Sequence, residues 1–152
     1  VNEMVLNLEL YHPKSTFLYK EDLLALHSRY VFGPVWDFDW AFGYELNYTY
    51  CIDNATIDYF DRLGYTKGGF FFNALRYNSD AVKRAYYANW KDFMELHKDE
   101  LIEYVEDYYQ YVKPSFVHNA EMWGDGYDYE TVKNNTKQWL ATRAKYIYEN
   151  CI

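Results

Sequence analysis

The 152-residue sequence is short of cysteine, of positive charge and of long apolar runs, and each shortage removes a class of function. Only Cys51 and Cys151 are present, far apart and outside any C-x-x-C pair, so a zinc site has no support. They suit either one bridge or two free thiols, because sequence alone cannot bring distant positions together. His12, His27, His97 and His118 stand apart from one another and from cysteine at ligand spacing, and all four are read as non-catalytic. Fifteen basic residues against 23 acidic ones give a formal charge of −8, a surface that repels polyanions. The basic residues occur singly or in pairs such as Lys83-Arg84, with no basic patch interleaved with aromatics, and nucleic acid is excluded as a partner. No apolar run approaches the roughly 18 residues that a membrane span requires. A G-x-S-x-G elbow is missing, so a hydrolase triad has no support. Lys67-Gly68-Gly69 lacks the G-x-x-x-x-G-K-[ST] order and an apolar strand leading into it, so it is not a phosphate loop. There is no internal repeat. Val1 is not an initiator methionine and no signal-peptide pattern begins the chain, which is expected to be a piece of a longer protein.

Aromatic residues are abundant instead, 22% of the chain from 19 Tyr, 10 Phe and 5 Trp. That content argues against disorder. It places many tyrosines with packed rings and wet hydroxyls, a commoner arrangement than a carbohydrate-stacking surface. The length suits one domain that buries about two-thirds of the surface of its unfolded chain.

The most informative stretch is Gly33-Pro34-Val35-Trp36-Asp37-Phe38-Asp39-Trp40-Ala41-Phe42-Gly43. If it continues a strand, alternation sends Trp36, Phe38 and Trp40 to one face and Asp37 and Asp39 to the other. Paired carboxylates at this spacing offer hard oxygens to Mg²⁺, which takes one or two and completes its shell with phosphate and water. The competing reading has both aspartates bonding turn amides ahead of Gly43.

Gly33 to Gly43, together with Asn2-Glu3 and the run Asn7-Leu8-Glu9-Leu10-Tyr11-His12-Pro13-Lys14-Ser15-Thr16-Phe17-Leu18-Tyr19-Lys20, resembles the C-terminal half of the CotH kinase family, the spore-coat protein H type of atypical protein kinase. Lys137-Gln138-Trp139-Leu140-Ala141-Thr142-Arg143 is similar to the family's closing helix. The resemblance implies ATP- and Mg²⁺-dependent phosphoryl transfer to Ser or Thr of a protein substrate. It assigns Asp37 and Asp39 to the metal, Asp37 and Glu9 to catalysis, and Asn7 as an alternative helper to Glu9. Glu9 stands where other members carry Asp. It also implies bacterial origin and a place outside the cytoplasm, in a coat, on the surface or secreted.

In chain order, Val1 to Leu10 reads as the end of a helix stopped by His12-Pro13. Ser15–Lys20 and Arg29–Asp37 read as strands joined by Glu21–Ser28, a connection expected to form a helical turn and to pack Leu23, Leu24 and Leu26. Gly33-Pro34 makes the second strand an edge or bulges it. Residues 44–68 are irregular, with Asn47-Tyr48-Thr49 and Asn54-Ala55-Thr56 as turn material that also fits the glycosylation pattern, as does Asn134-Asn135-Thr136. From residue 69 onward the periodicity is helical. Asn78-Ser79-Asp80 supplies a break and N-cap, and Val82, Tyr86, Trp90, Phe93 and Met94 form a core stripe. Leu101, Val105, Tyr108, Val112, Phe116, Ala120 and Trp123 form another, with Pro114 kinking or dividing that helix. Gly124-Asp125-Gly126 ends it, and Asp128 caps a last helix on which Val132, Trp139, Leu140, Arg143 and Ile147 share a face. Arg143 either meets a carboxylate of the metal region or, more commonly, keeps a wet head.

The fold class expected is α+β: residues 1–43 a helix end plus a small antiparallel hairpin with the aspartates, then a mainly helical C-terminal bundle. Glycine-rich and lysine-bearing parts for ATP phosphates are not found, so the nucleotide-binding part is expected to lie elsewhere in the parent, and the chain alone is expected to be inactive. The rival reading is a non-catalytic surface or coat protein whose aromatics contact a partner or glycan. In the first case Asp37 and Asp39 converge in a cleft; in the second, exposed Trp or Tyr form a flat platform. A calcium module needs six or more oxygens, and two aspartates with a glutamate fall short.

Overall fold

The structure is a computed structural model that describes residues 1–11, 15–124 and 128–150. A two-stranded antiparallel sheet, β1 (Leu18–Lys20) and β2 (Tyr30–Phe32), precedes six helices. These are α1 (Tyr44–Asn47), α2 (Tyr59–Leu63), α3 (Lys67–Asn78), α4 (Asp80–Asp92), α5 (Lys98–Trp123) and α6 (Tyr129–Asn150). A π-helical turn, Phe93–His97, joins α4 to α5, so the helical backbone runs without a break from Asp80 to Trp123. The architecture is α+β, as the sequence implies.

The first eleven residues form the spine of the core rather than a helix end. Met4, Leu6, Leu8 and Leu10 are all buried, an alternation of period two, with a short 3-10 turn over Leu8–Tyr11. Leu6 lies in the left-handed region at φ 48°, which a continuing α-helix does not allow. The Tyr59 hydroxyl donates to the Asn7 carbonyl at 3.0 Å and fixes the segment against α2. The proposed stop at His12-Pro13 lies outside the described residues.

The hairpin pairs Leu18 with Phe32, Tyr19 with Val31 and Lys20 with Tyr30. Its strands are shorter than expected: β2 ends at Phe32, and Gly33-Pro34, a cis peptide, terminates it instead of bulging it. The connection forms no helix. Asp22 Oδ1 accepts from the amides of Leu24 and Ala25, and Ser28 Oγ accepts from the Asp22 amide. This self-bonded turn presents Leu23, Leu24 and Leu26 outward, 81%, 93% and 95% exposed, contrary to the packing expected of them.

Residues 44–68 are less irregular than the sequence implies, since they hold α1 and α2. The Asp58 side chain caps α2 at the Asp61 amide, and the Thr66 side chain caps α3 at the Gly69 amide. Gly68 is needed for close approach, since a Cβ there would lie 2.1 Å from the Leu10 carbonyl oxygen. Ser79 is the N-cap of α4, as the break at 78–80 implies. Of the α4 stripe, Trp90, Phe93 and Met94 are half-buried against the core, Tyr86 is half-buried beside the Glu3 carboxylate, and Val82 is exposed. Pro114 sits inside α5 without dividing it, and the predicted stripe fails at Tyr108 and Trp123, both exposed. Gly124 ends α5 in the left-handed conformation, and the Asp128 carboxylate accepts from the Thr131 amide at the start of α6.

Helix α6 closes the core with Trp139, Leu140, Ala144 and Ile147. Arg143, on the same face, is 0% exposed, so its head is not wet. Its Nε donates to the Glu3 carbonyl at 3.0 Å, and Nη1 donates to the carbonyls of Ala55, at 3.1 Å, and Ile57. The guanidinium therefore meets main-chain oxygens rather than an aspartate of the metal region: its planar fork spans three carbonyls, of which that of Glu3 also accepts from the Leu6 amide.

A second polar seam joins α5 to α6. Glu106 accepts from Lys133 Nζ at 2.8 Å, from Lys137 Nζ at 2.7 Å and from Gln110 at 3.2 Å, and Lys133 also pairs with Glu130 at 2.8 Å. These donors hold the Glu106 carboxyl down from 4.5 to about 2.

Two predictions follow from these contacts. Arg143→Met should lower unfolding free energy in urea by about 3–5 kcal/mol, with Arg143→Lys recovering only part, since an ammonium cannot fork. A lowered carboxyl pKa stabilises the fold above the unfolded value and loses that effect as pH falls through the folded one. The difference in urea midpoint between wild type and Glu106→Gln should therefore be full above pH 4.5 and shrink towards pH 2.

Candidate functional site

The two aspartates do not sit on a strand. After β2 the chain runs as an irregular loop from Gly33 to Gly43, and Asp37 adopts φ 63°, in the left-handed region that Asp tolerates better than most side chains. The alternation expected over 36–40 therefore does not exist: Trp36 is exposed and Phe38 half-buried. What holds the loop is a set of bonds at both ends. Gly33 N–H donates to the Phe17 carbonyl at 3.1 Å, and the Ser15 hydroxyl donates to Asp37 Oδ2 at 2.9 Å. The Tyr50 hydroxyl donates to the Asp39 carbonyl at 2.8 Å, and its ring stacks on Tyr44 at 4.4 Å. Tyr44 in turn meets the edge of Trp40 at 6.1 Å. Ala41 N–H closes a turn onto the Phe38 carbonyl at 3.0 Å, and Phe42 N–H donates to the Val5 carbonyl at 2.6 Å. The aromatic face expected of Trp36, Phe38 and Trp40 is not formed; Tyr50 and Tyr44 stack beside the loop instead, with Trp40 edge-on to Tyr44.

Both carboxylates face solvent. Among the described residues no lysine or arginine pairs with either, and no three His, Cys, Asp or Glu side chains converge as a metal-holding group. Asp37 and Asp39 are therefore two exposed hard-oxygen donors, the kind of which Mg²⁺ takes one or two at a time. Glu9 is half-buried in the 3-10 turn, and its amide donates to Asn7 Oδ1 at 3.1 Å. Asn7 is buried, and its Nδ2 donates to Asn2 Oδ1 at 3.1 Å, so its side chain is committed to the spine rather than to an opening.

Beside the loop lies an apolar cleft of about 1050 Å³ between the spine, the hairpin and the α4–α5 run. Phe38, between the two aspartates, lines it together with Ser15 and Val35; Asp37 and Asp39 themselves stand outside its lining. One charged side chain is on its wall. The Glu3 carboxylate accepts from the Tyr86 hydroxyl at 2.8 Å and from Trp90 Nε1 at 3.3 Å. Burial pushes its pKa up from the usual carboxylate range, against those two bonds and the nearby charges of Arg143 and Arg76. Cys51 also faces the cleft as a free thiol, with Sγ 3.8 Å from Thr136 Oγ1, and burial raises its pKa to about 11. Cys151 lies outside the described residues, so the question of a bridge rests with Cys51's surroundings alone.

Sequence reasoning missed three residues that shape the loop: Ser15, Tyr50 and Asn54. Asn54 sits in a tripeptide that reads as turn or glycosylation pattern, yet it is 3% exposed, and Nδ2 donates to the Gly43 carbonyl at 3.1 Å. Its amide is closed to a glycan. Nothing local marks Asn54 for this task, because both partners of its amide, Gly43 and Trp139, are distant in sequence.

The helical scaffold thus carries two exposed aspartates on a loop bonded at both ends, beside an apolar cleft. The chain belongs to the CotH kinase family: the family model described as CotH kinase protein matches residues 1–147. No curated protein and no solved structure matches the chain.

Gly43 offers a direct check of the loop's anchoring. Its φ is 78°, and a Cβ there would lie 2.0 Å from Asn54 Nδ2, so Gly43→Ala is disfavoured both by backbone and by space. It should lower the thermal midpoint, and near-ultraviolet circular dichroism should show altered packing of the aromatic loop.

Proposed function

We propose that the chain is the metal-holding, C-terminal part of a protein kinase that moves the γ-phosphoryl group of ATP to Ser or Thr of a protein substrate, outside the cytoplasm of a bacterium. The observation that carries this reading is the exposure of both carboxylates on a loop pinned at each end. Phosphoryl transfer depends mostly on positioning and charge neutralisation, and a pinned acidic loop suits that task better than a nucleophile would. Asp37 and Asp39 would hold Mg²⁺, which supplies neutralisation of phosphate charge when bound. Ser15 orients the Asp37 carboxylate, Tyr50 holds the Asp39 main chain, and Phe38 separates the two side chains while filling the cleft edge. Glu9 is assigned as the nearby acidic helper of the metal or phosphate, with Asn7 as its structural support. Without glycine-rich or lysine-bearing parts for ATP phosphates, the chain alone binds nucleotide weakly and transfers little.

A second reading has one specific observation in its favour. On α5, Tyr104 and Tyr108 are exposed with rings 5.9 Å apart and within 18° of parallel, and Tyr111 continues the row. Such a platform suits a partner or a glycan in a non-catalytic coat or surface protein.

Autophosphorylation of the full-length parent should be lost in Asp37→Asn and Asp39→Ala, with thermal midpoints little changed because both side chains are exposed and asparagine tolerates the positive φ of position 37. Titration calorimetry of the 152-residue chain with Mg-ATP should give at most weak binding, and a micromolar affinity would overturn the expectation. Activity retained by both aspartate variants, together with binding lost in Tyr108→Ala, would favour the second reading.

A further inference from the structure

The loop that carries Asp37 and Asp39 is fixed from the far side of the molecule by one buried amide. Asn54 Nδ2 donates to the Gly43 carbonyl at 3.1 Å, and Asn54 Oδ1 accepts from Trp139 Nε1 at 2.6 Å. An indole N–H only donates and a main-chain carbonyl only accepts, so the orientation of this amide is set by the chemistry of its partners. Asn54 and Trp139 are each 3% exposed, so loss of either bond leaves a buried polar group unpaired. Trp139 reaches the same loop a second way, its ring lying 5.9 Å from that of Phe42. Gly43 is held so closely that a Cβ would overlap the amide. From there the main chain passes back through the Phe38–Ala41 turn to the two aspartates.

We propose that Asn54, braced by Trp139 of α6, is a positioning residue: its amide sets the C-terminal end of the aspartate loop and, through the Phe38–Ala41 turn, the separation and direction of the Asp37 and Asp39 carboxylates. The link to metal rests on the kinase reading above; the link to loop order does not. The competing explanation is that Asn54 merely satisfies a buried carbonyl and that the aspartates are set locally by Ser15 and Tyr50. The two explanations differ in what happens away from residue 54. Groups that orient a metal's carboxylates from behind change metal affinity about 10–100-fold when removed, whereas a purely local role leaves the affinity of the folded protein alone.

The experiment uses the 152-residue chain, Mn²⁺ as probe, and the variants Asn54→Ala, Trp139→Phe and Asp37→Asn. Mn²⁺ affinity is read by water-proton relaxation, and amide hydrogen exchange is followed across residues 36–43, both well below each unfolding midpoint. Asn54→Ala should weaken Mn²⁺ binding about tenfold and speed exchange in 36–43 relative to α6. Trp139→Phe, which keeps a ring against Phe42 but removes the donor to Oδ1, should do the same to a smaller degree and serves if Asn54→Ala does not fold. Unchanged exchange across 36–43 in the folded variants overturns the proposal. So does unchanged Mn²⁺ affinity in them while Asp37→Asn abolishes binding. If the wild type binds no Mn²⁺, or Asp37→Asn leaves the affinity as it was, the metal reading fails. Faster exchange in 36–43 then still upholds Asn54 as the residue that positions the loop.

Discussion

A single buried guanidinium bonds the spine, the turn before α2 and α6 to one another. Arg143 is wholly buried on α6, and it donates to carbonyls of the spine at Glu3 and of the turn before α2 at Ala55 and Ile57. Neither stretch is regular helix or strand; the Glu3 carbonyl also accepts from the Leu6 amide at 3.3 Å, whereas the carbonyls of Ala55 and Ile57 take the guanidinium. An apolar side chain would fill the space without supplying these donors, and lysine has no planar fork with which to reach all three. The same turn holds Asn54, next to Ala55, so the bonds that seal the core and the bonds that seat the acidic loop come from adjacent residues. The core and the candidate site are therefore one construction, and damage to either is felt by the other.

How much of this was written legibly depends on how local the determinant is. The caps at Ser79 and Asp128, the end of α5 at Gly124 and the apolar face of α6 follow from rules that act within a turn or two of helix, and the structure places them as read. The first eleven residues misled because 4, 6, 8 and 10 fit period two while 5, 6 and 10 also sit near one side of a helical wheel. Only tertiary partners, Tyr59 and Arg143, decide between the two. The run from Trp36 to Trp40 alternates as well as any strand. It lacks a partner strand beyond Phe32, and Asp37 turns to positive φ, so the alternation has no pleat to act on. The motif's identity was legible; its conformation was not, since it is imposed by Ser15, Tyr50 and Asn54 from elsewhere in the sequence.

The surface carries the other half of the physics. The chain exposes 10562 Å², where a compact protein of 18.4 kDa exposes about 8200 Å². The surplus accompanies a hairpin with outward leucines and a helical run of 44 residues from Asp80 to Trp123 that crosses the core at only part of its length. Apolar stripes were expected to mean core. Along this run they mean half-buried cleft wall, because there is more apolar helix than there is core to receive it.

The Arg143 to Glu3 contact spans 140 positions, nearly the whole chain. During synthesis the spine is made well before its guanidinium partner, so Met4, Leu6, Leu8 and Leu10 wait uncovered until α6 has emerged. The acidic loop inherits that delay, since Trp139 arrives in the same helix. Emergence of α6 is thus the commitment step at which core and loop form together.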